Sequence, residues 1–117
     1  MNKSGHVYLV DDDESMRTSL SRMLRELGYN VHDFASAKAF IEHSVPIAPA
    51  VILLDMQMPD MTGLDLQEKL VEMGRKTPII FVSGQSHPQQ IVKSLKKGAL
   101  DFLFKPFNLE ELILRVA

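Results

Sequence analysis

Short runs of apolar residues with no polar alternation constrain this 117-residue chain more than any other feature. Ala50 to Leu54 is apolar throughout, Pro78 to Val82 is likewise, and Val7 to Val10 is a shorter run rich in β-favouring residues. A strand with one wet face alternates apolar and polar side chains; a strand without alternation is covered on both faces. Such cover is typical of a parallel sheet, in which each strand is followed by a crossover helix. The intervening segments fit that scheme. Met16, Leu20, Met23, Leu24 and Leu27 recur at helical spacing, and Gly28 follows as a stop. Tyr29 to Phe34 alternates and reads as a half-buried strand, and Ser36 caps a short helix running to about His43 before Pro46 and Pro49 break the chain. Thr62, with Asp65 three residues on, resembles a capping box opening a helix that runs to about Met73, with Gly74 as its stop. Pro88 suits the first turn of a fourth helix, lined by Ile91, Val92 and Leu95 and ended by Gly98. Leu100 to Phe104 is a fifth strand, and Asn108 with Glu111 opens a fifth helix. Strand and helix thus alternate five times. The expected fold is α/β: a doubly wound five-stranded parallel sheet between two helical layers, joined by right-handed crossovers, in one domain spanning 1–117.

Composition narrows the classes. Hydrophobic residues make up 45% and charged residues 24%, ordinary for a globular domain. A formal net charge of -2 leaves no basic footprint, which argues against nucleic-acid binding by this segment itself. The absence of cysteine excludes disulfides, thiolate metal sites and cysteine nucleophiles. The apolar runs are far shorter than the roughly 20 residues a membrane span requires, and Met1 to Gly5 is polar with no signal region. A cytoplasmic location with no membrane partner is the expectation.

In an open parallel sheet, ligands sit beyond the carboxyl ends of the strands. The residues following each strand should therefore meet at one edge. They are Asp11, Asp12 and Asp13 after the first strand, Asp55 after the third, Ser83 and Gly84 after the fourth, and Lys105 after the fifth. Clustered carboxylates repel one another unless a cation neutralises them, and all-oxygen donors suit a hard cation such as Mg²⁺. A lysine is a second point charge for a phosphoryl oxygen, a hydroxyl and backbone N–H groups can donate to the same oxygens, and carboxylate is an established nucleophile toward phosphorus. Phosphoryl transfer needs positioning and charge neutralisation above all. Asp55, alone at the end of a central apolar strand, is the preferred nucleophile. Blander readings stand beside this one: Asp13 or Ser15 as a helix cap, Asp55 as a turn residue, Ser83 and Lys105 as surface residues. Pro106 favours extended backbone at Lys105, which could fix where that lysine points.

These residues carry a resemblance. Val10-Asp11-Asp12-Asp13, the run from Leu54-Asp55 through Pro59 to Gly63, Val82-Ser83-Gly84 and Phe104-Lys105-Pro106-Phe107 together resemble the receiver domain of bacterial two-component response regulators over essentially the whole chain. The resemblance implies a flavodoxin-like, CheY-like (βα)5 fold. It implies that Asp55 accepts a phosphoryl group from a sensor histidine kinase. Asp11, Asp12, Asp55 and the backbone carbonyl of Gln57 would hold Mg²⁺, with Mn²⁺ as a substitute and with Asp12 and Asp55 as the more direct carboxylate ligands. Gly84 and Met56 would bind the phosphoryl group, Ser83 and Lys105 would engage it, and Ser83 and Phe102 would form the switch. Family members often have Thr and Tyr at the switch positions; Ser83 retains the hydroxyl and Phe102 does not. Such a domain is a phosphoacceptor signalling module rather than a conventional enzyme, although it catalyses its own phosphorylation and dephosphorylation. Ser15-Met16-Arg17, Gly28-Tyr29, Phe34-Ala35-Ser36-Ala37 and Gly98 to Leu103 are similar to the FixJ-like branch. Those receivers usually precede a helix-turn-helix domain, so the chain reads as truncated before a DNA-binding output domain, with homodimerisation on phosphorylation. Two other readings remain at this point. Asp11-x-Asp13 is similar to haloacid-dehalogenase-type phosphatases, with Asp11 as nucleophile and Asp13 as acid–base, and the same fold could serve as a non-phosphorylated binding module.

Overall fold

The computed structural model describes residues 5–43, 50–56, 58, 61–75, 77–83, 95–96, 98–99 and 101–104. In chain order the elements are β1 (His6–Val10), α1 (Glu14–Glu26), β2 (Asn30–Phe34), α2 (Ala37–Glu42), β3 (Ala50–Asp55), α3 (Gly63–Glu72), β4 (Ile79–Ser83) and β5 (Asp101–Phe104). All strand pairs are parallel, in the order β2-β1-β3-β4-β5. The order reverses direction at β1, which puts the switch point between β1 and β3, whose carboxyl ends carry Asp11 and Asp55.

The apolar runs behave as their lack of alternation requires. Successive residues of β1, β3 and β4 point to opposite faces, and both faces are dry. Tyr8, Val10, Ile52, Leu54, Ile79 and Phe81 enter one core with Ala37 and Phe40 of α2 and Leu66 and Leu70 of α3. Val7, Leu9, Val51, Leu53, Ile80 and Val82 enter the other with Leu20 and Leu24 of α1. Helices thus cover both faces of a parallel sheet, which is the expected α/β architecture. Edge strand β2 buries Val31 and exposes Asn30 and Asp33, hence its alternation in sequence.

The helix boundaries follow from capping chemistry. The Asp13 side chain accepts from Met16 N at 3.2 Å, so of the two candidate caps Asp13 starts α1. Ser36 accepts from Ala39 N at 3.1 Å and Thr62 from Asp65 N at 3.2 Å. Gly28 and Gly74, with φ of 98° and 73°, take the left-handed conformation that ends α1 and α3. The strand ends differ from expectation by a residue: Asp55 and Ser83 belong to β3 and β4, where Asp55 pairs with Val82 and Ser83 with Phe104. Polar character at these positions suggested the strand had already stopped, but the parallel ladder extends through them. Of the expected fourth helix opening at Pro88, only Leu95 and Lys96, both helical, and Gly98, which has the positive φ of a stop and donates its N–H to Leu95 O at 3.1 Å, are among the described residues. Leu95, expected to line that helix, is exposed. The expected fifth helix opening at Asn108 lies outside the described residues.

Candidate functional site

β1 delivers Asp11 and Asp12, and β3 delivers Asp55, to one edge of the sheet. One carboxylate oxygen from each of the three lies within 4.8 Å of the others. Asp11 and Asp55 are buried, at 2% and 6% exposure, while Asp12 is open to solvent. Two buried carboxylates beside a third are costly without positive charge or donors to balance them. The donor set is entirely oxygen and partly wet, which fits a hard divalent ion that keeps waters and leaves room for a phosphate oxygen. These residues therefore fit Mg²⁺.

The turn that presents the acids is held closely. Asp11 N donates to Phe34 O at 3.1 Å, extending the β1–β2 ladder past Val10. One Asp11 carboxylate oxygen accepts from Asp13 N at 2.9 Å, and the Asp11 carbonyl accepts from Arg17 Nη1 at 2.9 Å. Arg17 Nε also lies 3.6 Å from Asp33 Oδ2 on β2. Asp13 is not in the three-carboxylate group: its side chain caps α1.

On the β3 side, Asp55 is anchored from two directions. Met56 N donates to Val82 O at 3.2 Å, which locks the strand end onto β4, and Gly63 N donates to Met56 O at 2.9 Å, which ties it to α3. Met56 itself is buried in the core, and its N–H is already spent on β4, so a phosphoryl contact from that group would require the Val82 bond to be given up or shared. Ser83 is the last residue of β4, and Phe102 lies in β5 opposite Phe81, both described by their backbone only. Gln57, Gly84 and Lys105 lie outside the described residues. Sequence reading quoted Arg17 and Gly63 within family-like motifs but assigned neither a role, because each acts on a backbone atom several residues away that only the fold brings close.

The comparisons with known proteins agree with this geometry. The model for "Response regulator receiver domain" matches residues 7–117. The chain belongs to the response regulator receiver domain family. Phosphoacceptor signalling is that family's activity. Among curated relatives, the response regulator protein TmoT of Ectopseudomonas mendocina is 44% identical over 107 residues, covering 92% of this chain and 49% of that protein. The solved structure of the response regulator StyR superposes with a TM-score of 0.89 at 37% identity, covering 97% of this chain and 57% of that one. FixJ-N superposes with a TM-score of 0.87 at 34% identity, covering 98% of this chain and 91% of that one, in keeping with the FixJ-like features of the sequence. The chain spans about half the length of the curated relatives it matches first. Among the described residues, no helix is long and apolar enough to cross a membrane.

Proposed function

We propose that this receiver domain takes a phosphoryl group from the phosphohistidine of a sensor kinase onto Asp55, in a Mg²⁺-dependent step, and relays the change to an output that regulates transcription. The observation that carries the reading is the meeting of Asp11, Asp12 and Asp55 at the carboxyl edge of the sheet.

Asp55 sits at the end of a strand buried from Val51 onward, fixed by bonds from its neighbour Met56 to β4 and α3, so its carboxylate can be held in line with an incoming phosphorus. An Asp55 oxygen attacks phosphorus, the phosphorus–nitrogen bond of the donor breaks, and the imidazole leaves neutral, having carried or gained a proton. The product is an acyl phosphate on Asp55. Asp12 and Asp55 would be the direct carboxylate ligands of Mg²⁺, with the Gln57 carbonyl as a third; one Asp11 oxygen already accepts the Asp13 N–H, which favours an orienting role for Asp11. Bound there, Mg²⁺ supplies charge neutralisation and alignment of the phosphoryl oxygens. Lys105 and the Gly84 N–H would stabilise the same oxygens.

The acyl phosphate carries about 1.5 to 2 negative charges where the Asp55 carboxylate carried one, spread over three acceptor oxygens. Ser83 would turn toward it, and Phe102, lacking a hydroxyl, would report the change through packing alone. The helical surface beyond β4 and β5 would then favour homodimerisation and release of a DNA-binding output domain in the intact protein, in the cytoplasm. The full five-helix (βα)5 architecture belongs to this reading. Incubation with acetyl phosphate and Mg²⁺ followed by intact mass tests it. One added phosphoryl group is expected, lost with chelator and lost in Asp55→Asn; an undiminished adduct in Asp55→Asn would overturn the assignment.

A further inference from the structure

We propose that Arg17 is a positioning residue that fixes the backbone of Asp12 and thereby sets the site's affinity for its divalent cation. The inference rests on the reading of Asp12 as a metal ligand.

Asp12 is the exposed member of the three-carboxylate group. The direction in which its side chain leaves the backbone is set by the two peptide groups that flank it. On one side, the carbonyl of the Asp11–Asp12 peptide accepts from Arg17 Nη1 at 2.9 Å. On the other, the N–H of the Asp12–Asp13 peptide donates to Asp11 Oδ1 at 2.9 Å. With both planes held, the φ and ψ of Asp12 are restricted, which fixes the direction of its Cα–Cβ bond, and from there a carboxylate oxygen lies within 4.8 Å of those of Asp11 and Asp55. The Asp11 bond is made by the acidic turn itself. The Arg17 bond comes from outside it, so Arg17 couples the turn to the rest of the fold.

Arg17 can hold that carbonyl because it is itself held. Its backbone N–H donates to Asp13 O at 2.9 Å, the first bond of α1, and its Nε faces Asp33 Oδ2 at 3.6 Å on β2. The Arg17 side chain is 17% exposed and that of Asp33 41%, so this pair alone adds little stability. Its geometric consequence is larger. A planar guanidinium with donors on several nitrogens can serve a carbonyl and a carboxylate at once, whereas a lysine offers a single point charge. The strut thus ties β1, α1 and β2 together at the root of the Asp12 ligand.

Charge and geometry make opposite predictions. A cation beside an acidic site repels an incoming divalent ion, so loss of the Arg17 charge alone should tighten Mg²⁺ binding. Loss of the strut should weaken it, because residues that orient metal ligands typically change affinity by about 10- to 100-fold when removed.

The test is Mg²⁺ titration by calorimetry of the parent, Arg17→Ala, Arg17→Lys, Asp33→Asn and Asp12→Asn, with a urea unfolding curve for each. The expected result is Mg²⁺ affinity lowered about 10-fold or more in Arg17→Ala, by less in Arg17→Lys and Asp33→Asn, each in a folded protein. Unchanged or tighter binding in Arg17→Ala would overturn the proposal. Where Arg17→Ala does not fold, the same criterion applies to Arg17→Lys and Asp33→Asn. Asp12→Asn separates the two levels. Binding in the parent that Asp12→Asn leaves intact would remove Asp12 as a ligand and the proposal with it. Binding abolished in Asp12→Asn but unaltered by Arg17→Ala would overturn only the strut.

Discussion

A β-carbon placed on Gly63 would come within 2.8 Å of the Asp55 carbonyl oxygen. It would also meet Phe81 Cε1 at 2.9 Å and Met56 Cα at 3.0 Å. Gly63 is the first residue of α3, and its φ is not positive, so the reason for glycine here is close approach rather than backbone conformation. The missing side chain lets α3 start directly on the end of β3. Two of the three neighbours are backbone, and the third belongs to a fully buried ring, so none yields cheaply. Gly63→Ala should cost about 1–3 kcal/mol, the usual range for overpacking, read as a lower urea midpoint. It should also slow phosphorylation by displacing Asp55. Wild-type stability in that variant would contradict the packing argument.

The start of α3 depends on one side chain as well. Thr62 accepts the Asp65 N–H at 3.2 Å, satisfying an otherwise orphan donor. Thr62→Ala should lower stability by about 1 kcal/mol and Thr62→Ser by much less. Equal losses in the two would show that the methyl group, not the hydroxyl, matters there.

Acid should weaken the β1–β2 edge. His6 Nδ1 and His32 Nε2 are 3.0 Å apart, with ring centroids 5.3 Å apart and planes 17° apart. The nitrogen separation is shorter than the centroid separation by about the width of a ring, so the imidazoles meet edge to edge with nitrogens facing. Such a pair can share one proton but not hold two. Tyr8 stacks on His32, and His43 lies beside both rings. Burial, then the nearby His6, His43 and Arg25, hold the His32 pKa below its ordinary 6.5. The folded state therefore binds fewer protons than the unfolded chain between those two values. Stability is full above about 6.5 and falls as pH drops toward the lowered value. His32→Gln should flatten that slope in unfolding curves taken from neutral to mildly acid pH. Identical slopes for parent and variant would remove His32 as the cause.

Much of the fold was legible because its strongest signal is local. An apolar run such as Val51 to Leu54 can be dry on both faces only in a covered sheet, and the caps at Ser36 and Thr62 act within three residues. The acidic edge was legible for a related reason: strand order places the ends of β1 and β3 side by side, so Asp11, Asp12 and Asp55 meet once the topology is known. The contacts of Arg17 and Gly63, and the His6–His32 pair, were not legible. Their partners are a carbonyl across a turn, a carbonyl at the end of another element, and a ring on a neighbouring strand. The ends of β3 and β4 were misplaced by one residue because a polar side chain at a sheet edge does not interrupt its own backbone ladder.

The central claim is that Asp55, and not an acid of the β1 turn, takes the phosphoryl group. Borohydride reduction of the acetyl-phosphate-treated protein, followed by peptide mass mapping, tests this most directly, because an acyl phosphate is reduced to the alcohol and an untouched carboxylate is not. The expected result is homoserine at position 55, with Asp11, Asp12 and Asp13 unchanged and no conversion without Mg²⁺. Homoserine at position 11 with Asp55 intact would contradict the account and point to the phosphatase-like alternative.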